Sequence, residues 1–143
     1  MFLGEYEHTI DDKGRLAIPA RFRDQLEDGL VVTRGLDPCL MAYPRQYWEQ
    51  LAQKVSALPL GQPVAREFQR RLFSGAADLS LDRQGRILIP QNLRDFGLFG
   101  EQVVIAGMNE YFEIWSQDRW NEVLNKISAD PNGFGEQLAA FGI

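Results

Sequence analysis

Two nearly identical stretches, DDKGRLAIPARFRD at residues 11–24 and DRQGRILIPQNLRD at residues 82–95, decide how this sequence is interpreted. Aligned at a shift of 71 residues, they share seven of fourteen positions, including an Asp, a Gly and an Arg in the pattern D-x-x-G-R and an Ile-Pro pair. The match continues at a shift of 72, where a Val-Val pair and a Trp occur again. The chain is therefore a tandem duplication of a unit of about seventy residues, and we divide it into repeats at residues 1–76 and 77–143.

Each repeat is predicted to begin with a strand, a glycine turn and a second strand. In the first repeat, EYEHTI alternates in polarity and ends at DDKG, where Gly14 can adopt the positive φ of a hairpin turn without steric cost. RLAIP is expected to return as the partner strand of this hairpin. Pro19 cannot donate to a sheet but suits the first turn of a helix, so the strand should end there and a short helix begin. The second repeat has the same features around Gly85.

The rest of each repeat predicts a second hairpin followed by helices. LVVTRG and CLMAYP form this hairpin in the first repeat, and QVVIAG and YFEIWS form it in the second. Helices are predicted at residues 44–58 and 116–128, and from about residue 64 to residue 74. Apolar residues at helical spacing in two of these helices are expected to face a core: Tyr47, Leu51, Val55, Trp120, Leu124 and Ile127.

The total charge argues against a nucleic-acid partner, but its distribution does not. The 143 residues are 45% hydrophobic, as in a folded globular protein, and carry a net charge of −5. Residues 1–95 contain 13 basic and 13 acidic side chains, whereas residues 96–143 contain 2 and 7, so the whole deficit lies in the last third. The basic residues cluster in the repeated stretch, at Lys13, Arg15, Arg21, Arg23, Arg83, Arg86 and Arg94.

The sequence predicts neither a membrane protein nor an enzyme. No apolar run approaches the ~18 residues that span a bilayer, and a cytoplasmic location is expected. Cys and His residues with metal-ligand spacing are absent, and no metal, cofactor or small-molecule substrate is expected. Cys39 and His8, each the only residue of its kind, fall in different predicted hairpins, which argues against a catalytic pair.

An Asp and an Arg lie four residues apart across each glycine turn, as Asp11 with Arg15 and Asp82 with Arg86. The carboxylate can orient the guanidinium, and an oriented Arg is suited to bidentate contacts with phosphate or guanine. Each repeat alone has open strand edges and a small core, so the two are expected to pair with pseudo-twofold symmetry that places both arginines on one side. The alternative is that each Asp-x-x-x-Arg only staples its own turn.

The paired stretches, D-D-K-G-R-L-A-I-P at 11–19 and D-R-Q-G-R-I-L-I-P at 82–90, each followed by a Val-Val strand, resemble those of the MraZ family of bacterial transcriptional regulators. The resemblance implies an α+β fold with a mainly β core: a pseudo-twofold, double-repeat, swapped-hairpin β-barrel like that of the AbrB regulators, with flanking helices, in which both repeats form one compact domain. It also implies a ring-like homo-oligomer, associated with the nucleoid, that binds short direct repeats in double-stranded DNA. In the family these repeats lie upstream of the protein's own division and cell-wall operon, usually for repression.

The family's DNA-contacting motif falls on Asp11, Arg15, Asp82 and Arg86. We add Lys13 and Arg83 as DNA-binding residues on charge and position alone. Gln84 stands where the first repeat has Lys13, so equal contributions from the two repeats are left open.

Two alternatives remain at this point. The protein could be an AbrB-like antitoxin or protein-interaction module that neutralises a partner protein, although such chains usually carry one barrel half and a disordered tail. Arg66, Arg70 and Arg71 could form a second basic strip, but a solvated helix face is the preferred interpretation.

Overall fold

The computed structural model describes residues 1–143, apart from the side chain of Pro131. Within them the chain forms eight strands: β1 (Glu5–Thr9), β2 (Arg15–Ala17), β3 (Leu30–Arg34), β4 (Leu40–Pro44), β5 (Ala77–Leu79), β6 (Arg86–Leu88), β7 (Gln102–Gly107) and β8 (Phe112–Ser116). The helices are α1 (Ala20–Arg23), α2 (Arg45–Ser56), α3 (Pro63–Ser74), α4 (Gln91–Gly97), α5 (Gln117–Ala129) and α6 (Pro131–Leu138), with 3₁₀ turns at Asp24–Leu26 and Ala139–Phe141. None of the helices described has both the length and the apolar character needed to cross a bilayer.

The strand order expresses the duplication as a pseudo-twofold axis. Six strands form one antiparallel sheet in the order β1-β7-β8-β4-β3-β5, while β2 and β6 pair as a separate two-stranded ribbon. Exchanging each strand for its counterpart in the other repeat only reverses this order. The axis passes between β4 and β8, where Met41 opposes Glu113, and between β2 and β6, where Leu16 opposes Ile87. The expected double-repeat α+β fold with a mainly β core is confirmed.

Apart from one antiparallel bridge between Ile10 and Leu16 beside the first turn, the first two strands of each repeat do not pair with each other, which corrects the predicted hairpin. Strand β1 pairs with β7 and strand β5 with β3, so each lies beside a strand of the other repeat. Strand β2 likewise pairs with β6. The turn itself forms as predicted: Gly14 has a φ of 90°, and its N–H donates to the Asp11 carbonyl at 3.0 Å. The exchange occurs because it gives these short strands partners that a single repeat does not supply.

The core lies between the ribbon and one face of the sheet. Leu16, Ile18, Ile87 and Ile89 are fully buried on the inner side of the ribbon. They pack against alternate residues of the sheet strands, which point to one face: Leu30, Val32, Leu40, Ala42, Val103, Ile105, Phe112 and Ile114. The intervening residues face α2, α3 and α5; the hydroxyl of Thr33, for example, donates to the Leu72 carbonyl of α3 at 2.6 Å. The ribbon and these three helices therefore lie on opposite faces of the sheet.

One predicted core face is not covered in the second repeat. Val55 on α2 is 2% exposed beneath α3, whereas its counterpart Ile127 on α5 is 66% exposed and Leu124 is also exposed. The prediction that Leu124 and Ile127 face a core is therefore wrong within this chain, although Trp120 is half-buried. The reason is the connection after the helix: residues 57–62 separate α2 from α3, whereas Asp130 alone separates α5 from α6.

Replacing Gly14 by Ala should destabilise the fold. A Cβ atom at this position would lie 2.7 Å from the Ile89 carbonyl oxygen, and the φ of +90° is one that residues with side chains rarely adopt. We expect the free energy of unfolding, measured by urea denaturation, to fall by about 1–3 kcal/mol. Gly61→Ala is the matched control, because a Cβ atom there has no neighbour within 4 Å. Equal urea midpoints for Gly14→Ala and the wild type would contradict this interpretation of the turn.

Candidate nucleic-acid interface

The outer face of the ribbon carries one arginine from each repeat. In the antiparallel register, Arg15 opposes Leu88 and Ala17 opposes Arg86. Opposed residues share a face, as do residues two apart on one strand, so these four side chains all point away from the core. Arg15 and Arg86 are diagonal neighbours on this face, one on each strand. Diagonal neighbours on adjacent strands lie about 7–8 Å apart. The two arginines predicted from the sequence are thus close together on one side of the molecule.

Asp11 holds Arg15 through three hydrogen bonds. Its Oδ1 accepts from the backbone N–H groups of Lys13 and Arg15 at 3.0 and 2.8 Å. Its Oδ2 accepts from Nε of Arg15 at 2.6 Å. The first two bonds shape the turn, and the third fixes the direction of the guanidinium group.

Asp82 repeats this arrangement in the second repeat. Its Oδ1 accepts from the backbone N–H groups of Gln84 and Arg86, both at 2.9 Å, and its Oδ2 accepts from Nε of Arg86 at 3.0 Å. The same three bonds form although Gln84 stands where the first turn has Lys13. The conformation of the turn, and not the identity of that residue, therefore positions each arginine.

The ends of both guanidinium groups are available for a ligand. Among the described residues, Arg15 and Arg86 donate side-chain hydrogen bonds only from Nε, and their Nη atoms donate none. Their side chains are 37% and 32% exposed. The two Nη groups of an arginine form a planar fork that matches a phosphate or the edge of a guanine. Each arginine is oriented through Nε and presents this fork outward.

Two further arginines, Arg23 and Arg94, stand beside the turns, and the sequence analysis did not place them in the site. Each donates from Nε to the carbonyl of the residue five positions earlier, at 2.9 Å for Arg23 and 3.0 Å for Arg94. The guanidinium of Arg23 lies over Gly85, and that of Arg94 lies over Gly14, so each packs against the turn of the other repeat. Their equivalent positions in the repeated stretch were the available signal, but residue spacing alone does not show which turn each arginine reaches after the strand exchange that the swapped-hairpin resemblance implies.

Lys13 and Arg83 lie exposed at the tips of the two turns. They are not equivalent, because Lys13 follows Asp12 in the first turn whereas Arg83 precedes the neutral Gln84 in the second. The tip of the second turn therefore carries one more positive charge than the tip of the first.

The hydrogen bonds around each turn also fix the charge of its carboxylate. The backbone N–H of Arg15 is the main cause that lowers the pKa of Asp11 below its usual value, followed by the Arg15 side chain and the backbone N–H of Lys13. The equivalent groups of the second turn lower the pKa of Asp82 in the same way. Both carboxylates stay ionised at neutral pH and continue to hold their arginines.

The arginines of α3 do not extend this surface. Arg66 donates from Nη1 to the Leu60 carbonyl at 2.7 Å, and Arg71 donates from Nε to the Gly35 carbonyl at 2.8 Å. Arg70 is exposed, but α3 lies on the face of the sheet opposite the ribbon. Two of these three side chains therefore bind loop carbonyls of their own chain, and no basic strip connects them to Arg15 or Arg86.

Cys39 is not a candidate nucleophile. The residue is fully buried immediately before β4, and burial raises the pKa of its thiol well above the ordinary value, with Glu113 adding to the effect. A thiol must ionise before it attacks. His8 lies on β1, away from this site.

Comparison with known proteins agrees with the two-repeat architecture. A family model described as "MraZ protein, putative antitoxin-like" matches residues 1–71 and again residues 72–137. A protein of Roseiflexus castenholzii named Transcriptional regulator MraZ is 66% identical over 139 residues, 97% of each chain. Proteins of the same name from Roseiflexus sp. and Herpetosiphon aurantiacus are 63% identical over 97% of each chain and 52% identical over the whole of both chains.

The fold and the site define a double-repeat α+β protein that exchanges strands between its repeats and displays a symmetric basic ribbon. The chain belongs to the MraZ family, whose curated relatives are named as transcriptional regulators. The resemblance seen in the paired D-x-x-G-R stretches is confirmed.

Acidification should break the ion pairs in which Asp11 and Asp82 hold Arg15 and Arg86. Because the pKa values of Asp11 and Asp82 are lowered in the folded chain, their contribution to stability is complete above about pH 4, the ordinary pKa of Asp, and is lost as the pH falls through the folded-state pKa. An Asp11→Asn/Asp82→Asn variant lacks this contribution, so its urea midpoint should fall less steeply than that of the wild type between about pH 5 and pH 3.

Asp12→Asn is the control for this measurement, because the Asp12 side chain makes no hydrogen bond among the described residues. It should follow the wild type. If the urea midpoints of the wild type and of the double variant change in parallel with pH, the Asp11–Arg15 and Asp82–Arg86 pairs do not form in solution.

Proposed function

We propose that this protein is a sequence-specific DNA-binding transcriptional regulator and that the ribbon of β2 and β6 is its DNA-contacting surface. The proposal rests on one observation: Arg15 and Arg86, held by Asp11 and Asp82, lie together on the outer face of the ribbon. Membership of the MraZ family supports transcriptional regulation as the consequence of binding.

The shape of the ribbon suits the major groove of DNA. That groove, about 12 Å wide in B-DNA, admits a two-stranded β-ribbon. Guanine presents two acceptors there, O6 and N7, which match the Nη fork of an arginine. In this arrangement Arg15 and Arg86 read one short site together, one from each repeat. Lys13 and Arg83 at the turn tips contact phosphates, which positions the protein without specifying sequence.

The negative charge of the whole chain is compatible with this function because part of it lies away from the ribbon. Helix α5, which carries Asp118 and Glu122, packs on the face of the sheet opposite the ribbon. DNA bound to the ribbon would therefore not meet these carboxylates.

A single ribbon makes few contacts, so strong binding requires several ribbons acting together. When copies are joined, each further contact on the same DNA becomes intramolecular and affinity rises without any new interaction. We therefore propose a ring-like homo-oligomer, associated with the nucleoid, that binds short direct repeats upstream of its own division and cell-wall operon and represses it. Residues 1–76 and 77–143 act as one unit in this scheme, because each repeat supplies one strand and one arginine of the ribbon.

Replacing both arginines, Arg15→Ala with Arg86→Ala, should abolish specific binding. An arginine that contacts a base contributes about 1–3 kcal/mol, so the double variant should lose at least ~30-fold in affinity. The measurement is fluorescence anisotropy on the DNA upstream of the protein's own gene. The matched control is Lys54→Ala with Arg70→Ala, which removes two exposed charges from α2 and α3 and should leave the affinity unchanged.

The oligomeric mass of the Arg15→Ala/Arg86→Ala variant should equal that of the wild type. If the variant loses both assembly and stability, the arginines act as staples of their turns. Full affinity in a folded variant would refute the DNA-contacting role of the ribbon.

The turn-tip residues should affect salt dependence more than specificity. Each phosphate contact steepens the fall of affinity with salt, and removal of one contact lowers the slope of log affinity against log salt by about 1. Lys13→Ala with Arg83→Ala should thus reduce the slope by up to about 2 and weaken binding equally on specific and scrambled DNA. If the affinity of the wild type for DNA is the same at about 50 and 200 mM salt, this result argues against phosphate binding.

A further inference from the structure

Helix α6 and the outer face of α5 are apolar but uncovered. Phe134 and Phe141 are 61% and 79% exposed, and at about 200 Å² for a whole side chain they leave roughly 280 Å² of apolar surface in water. Ile127 and Ile143 are exposed as well and add to this area. Apolar surface of several hundred square ångströms marks an interaction site.

The first repeat shows what covers the equivalent surface there. Helix α3 packs over α2, and Gln69 of α3 donates from Nε2 to the Val55 carbonyl of α2 at 2.9 Å. Phe73 of α3 packs edge-on against Trp48 of α2, with 5.9 Å between the ring centroids. A glutamine and a phenylalanine at fixed positions on one helix therefore seal the other.

Helix α6 and the 3₁₀ turn after it have the residues to seal α5 in the same way. At a shift of 68 residues, the Pro, Gln and Phe of α3 correspond to Pro131, Gln137 and Phe141. At the shift of 72, the Trp and Val of α2 correspond to Trp120 and Ile127 of α5. The residues that make the contact in the first repeat thus have counterparts in the second, identical or similar in type, but only the first repeat forms the contact within the chain.

The connection before α6 prevents it from sealing α5 of its own chain. Residues 57–62 connect α2 with α3 and allow α3 to fold back, whereas Asp130 is the single residue between α5 and α6. Connections between neighbouring helices take about 2–8 residues. With one connecting residue, α6 leaves in another direction, and both Phe134 and Ile127 stay exposed.

We propose that α6 of one copy packs over α5 of a second copy, in the position that α3 takes in the first repeat. This names the contact that builds the homo-oligomer and therefore rests on that part of the proposed function. Phe141 then packs edge-on against the partner's Trp120, and Gln137 donates to the carbonyl of the partner's Ile127. The accepting surface is the exposed face of α5 that carries Leu124 and Ile127. Because this surface differs from the donated helix α6, copies join head to tail and can close into a ring. The accepting surface lies across the sheet from the ribbon, which leaves the DNA-contacting face free.

The Ile127→Asp variant tests the accepting surface. By light scattering without DNA, the wild type should have a mass several times that of one chain of 16.3 kDa. Ile127→Asp should fall to the mass of one chain, because an unpaired carboxylate would be buried in the contact. Leu60→Asp is the matched control: Leu60 is also 66% exposed but lies in the first repeat, and its substitution should leave the mass unchanged. Circular dichroism and urea unfolding establish that each variant is folded.

A mixing experiment tests both sides of the contact. A Phe134→Asp/Phe141→Asp variant of the full chain keeps the accepting surface but lacks the apolar side chains of the donated segment, whereas Ile127→Asp keeps those side chains but lacks the accepting surface. Each should be a monomer alone, and an equimolar mixture should form a complex with one chain of each, because one intact contact is possible and no more. A mixture that stays monomeric, an oligomeric Ile127→Asp variant or a monomeric wild type would overturn the proposal.

The outcome is separable from that of the DNA-binding proposal. Masses are measured without DNA, and Arg15 and Arg86 are unchanged in every variant of this set. Head-to-tail contacts in a protein that does not bind DNA would leave the interface standing and refute the proposed function. If DNA binding depends on Arg15 and Arg86 but Ile127→Asp leaves the mass unchanged, the proposed function stands and the proposed interface is refuted.

Discussion

The antiparallel pairing of β2 with β6 is the constraint on which the rest of the structure depends. Leu16 opposes Ile87 on the inner face of this ribbon, and both are fully buried. Because side chains alternate, a slip of one residue would turn Arg15 and Arg86 into the core and the apolar residues into water. Burial of an unpaired charge costs several kcal/mol, and each exposed Leu or Ile forfeits about 1.5–3 kcal/mol of burial. The core itself thus holds both arginines on the surface.

The Asp–Arg pairs contribute more to order than to stability. Partly exposed ion pairs add little to the free energy of folding, because water screens their attraction. Immobilising a free arginine side chain costs up to about 1.5–2 kcal/mol of rotamer entropy. Asp11 and Asp82 restrict Arg15 and Arg86 before any ligand arrives. Binding of a ligand therefore requires less loss of side-chain entropy than it would with unrestrained arginines.

Local structure was largely predictable from the sequence, whereas the partners of each element were not. The turns at Gly14 and Gly85 and the Asp–Arg pairs follow from residue types at short spacing, and all of them form. The predicted hairpin of β1 with β2 was wrong because the same turn is compatible with two arrangements. The strand that follows it can pair within its own repeat, or with the other repeat as it does here. Arg23 and Arg94 were missed for the same reason, since only the exchange brings them to the turns.

The burial of α5 was also misjudged because helical spacing identifies an apolar face but not what covers it. Ile127 has the spacing of Val55, and the difference between them lies beyond the helix, in the single residue that precedes α6. Connection length therefore decided burial where periodicity did not. It leaves the second repeat with an apolar surface that the first repeat seals within the chain.

The central claim is that the two repeats present one arginine each to a single DNA site. The most direct test is a structure of the oligomer bound to the DNA upstream of its own gene. Nη atoms of both Arg15 and Arg86 should lie within about 3.2 Å of base or phosphate acceptors in the same groove segment. A complex in which DNA contacts only one of the two arginines, or lies on another face of the molecule, would contradict the claim.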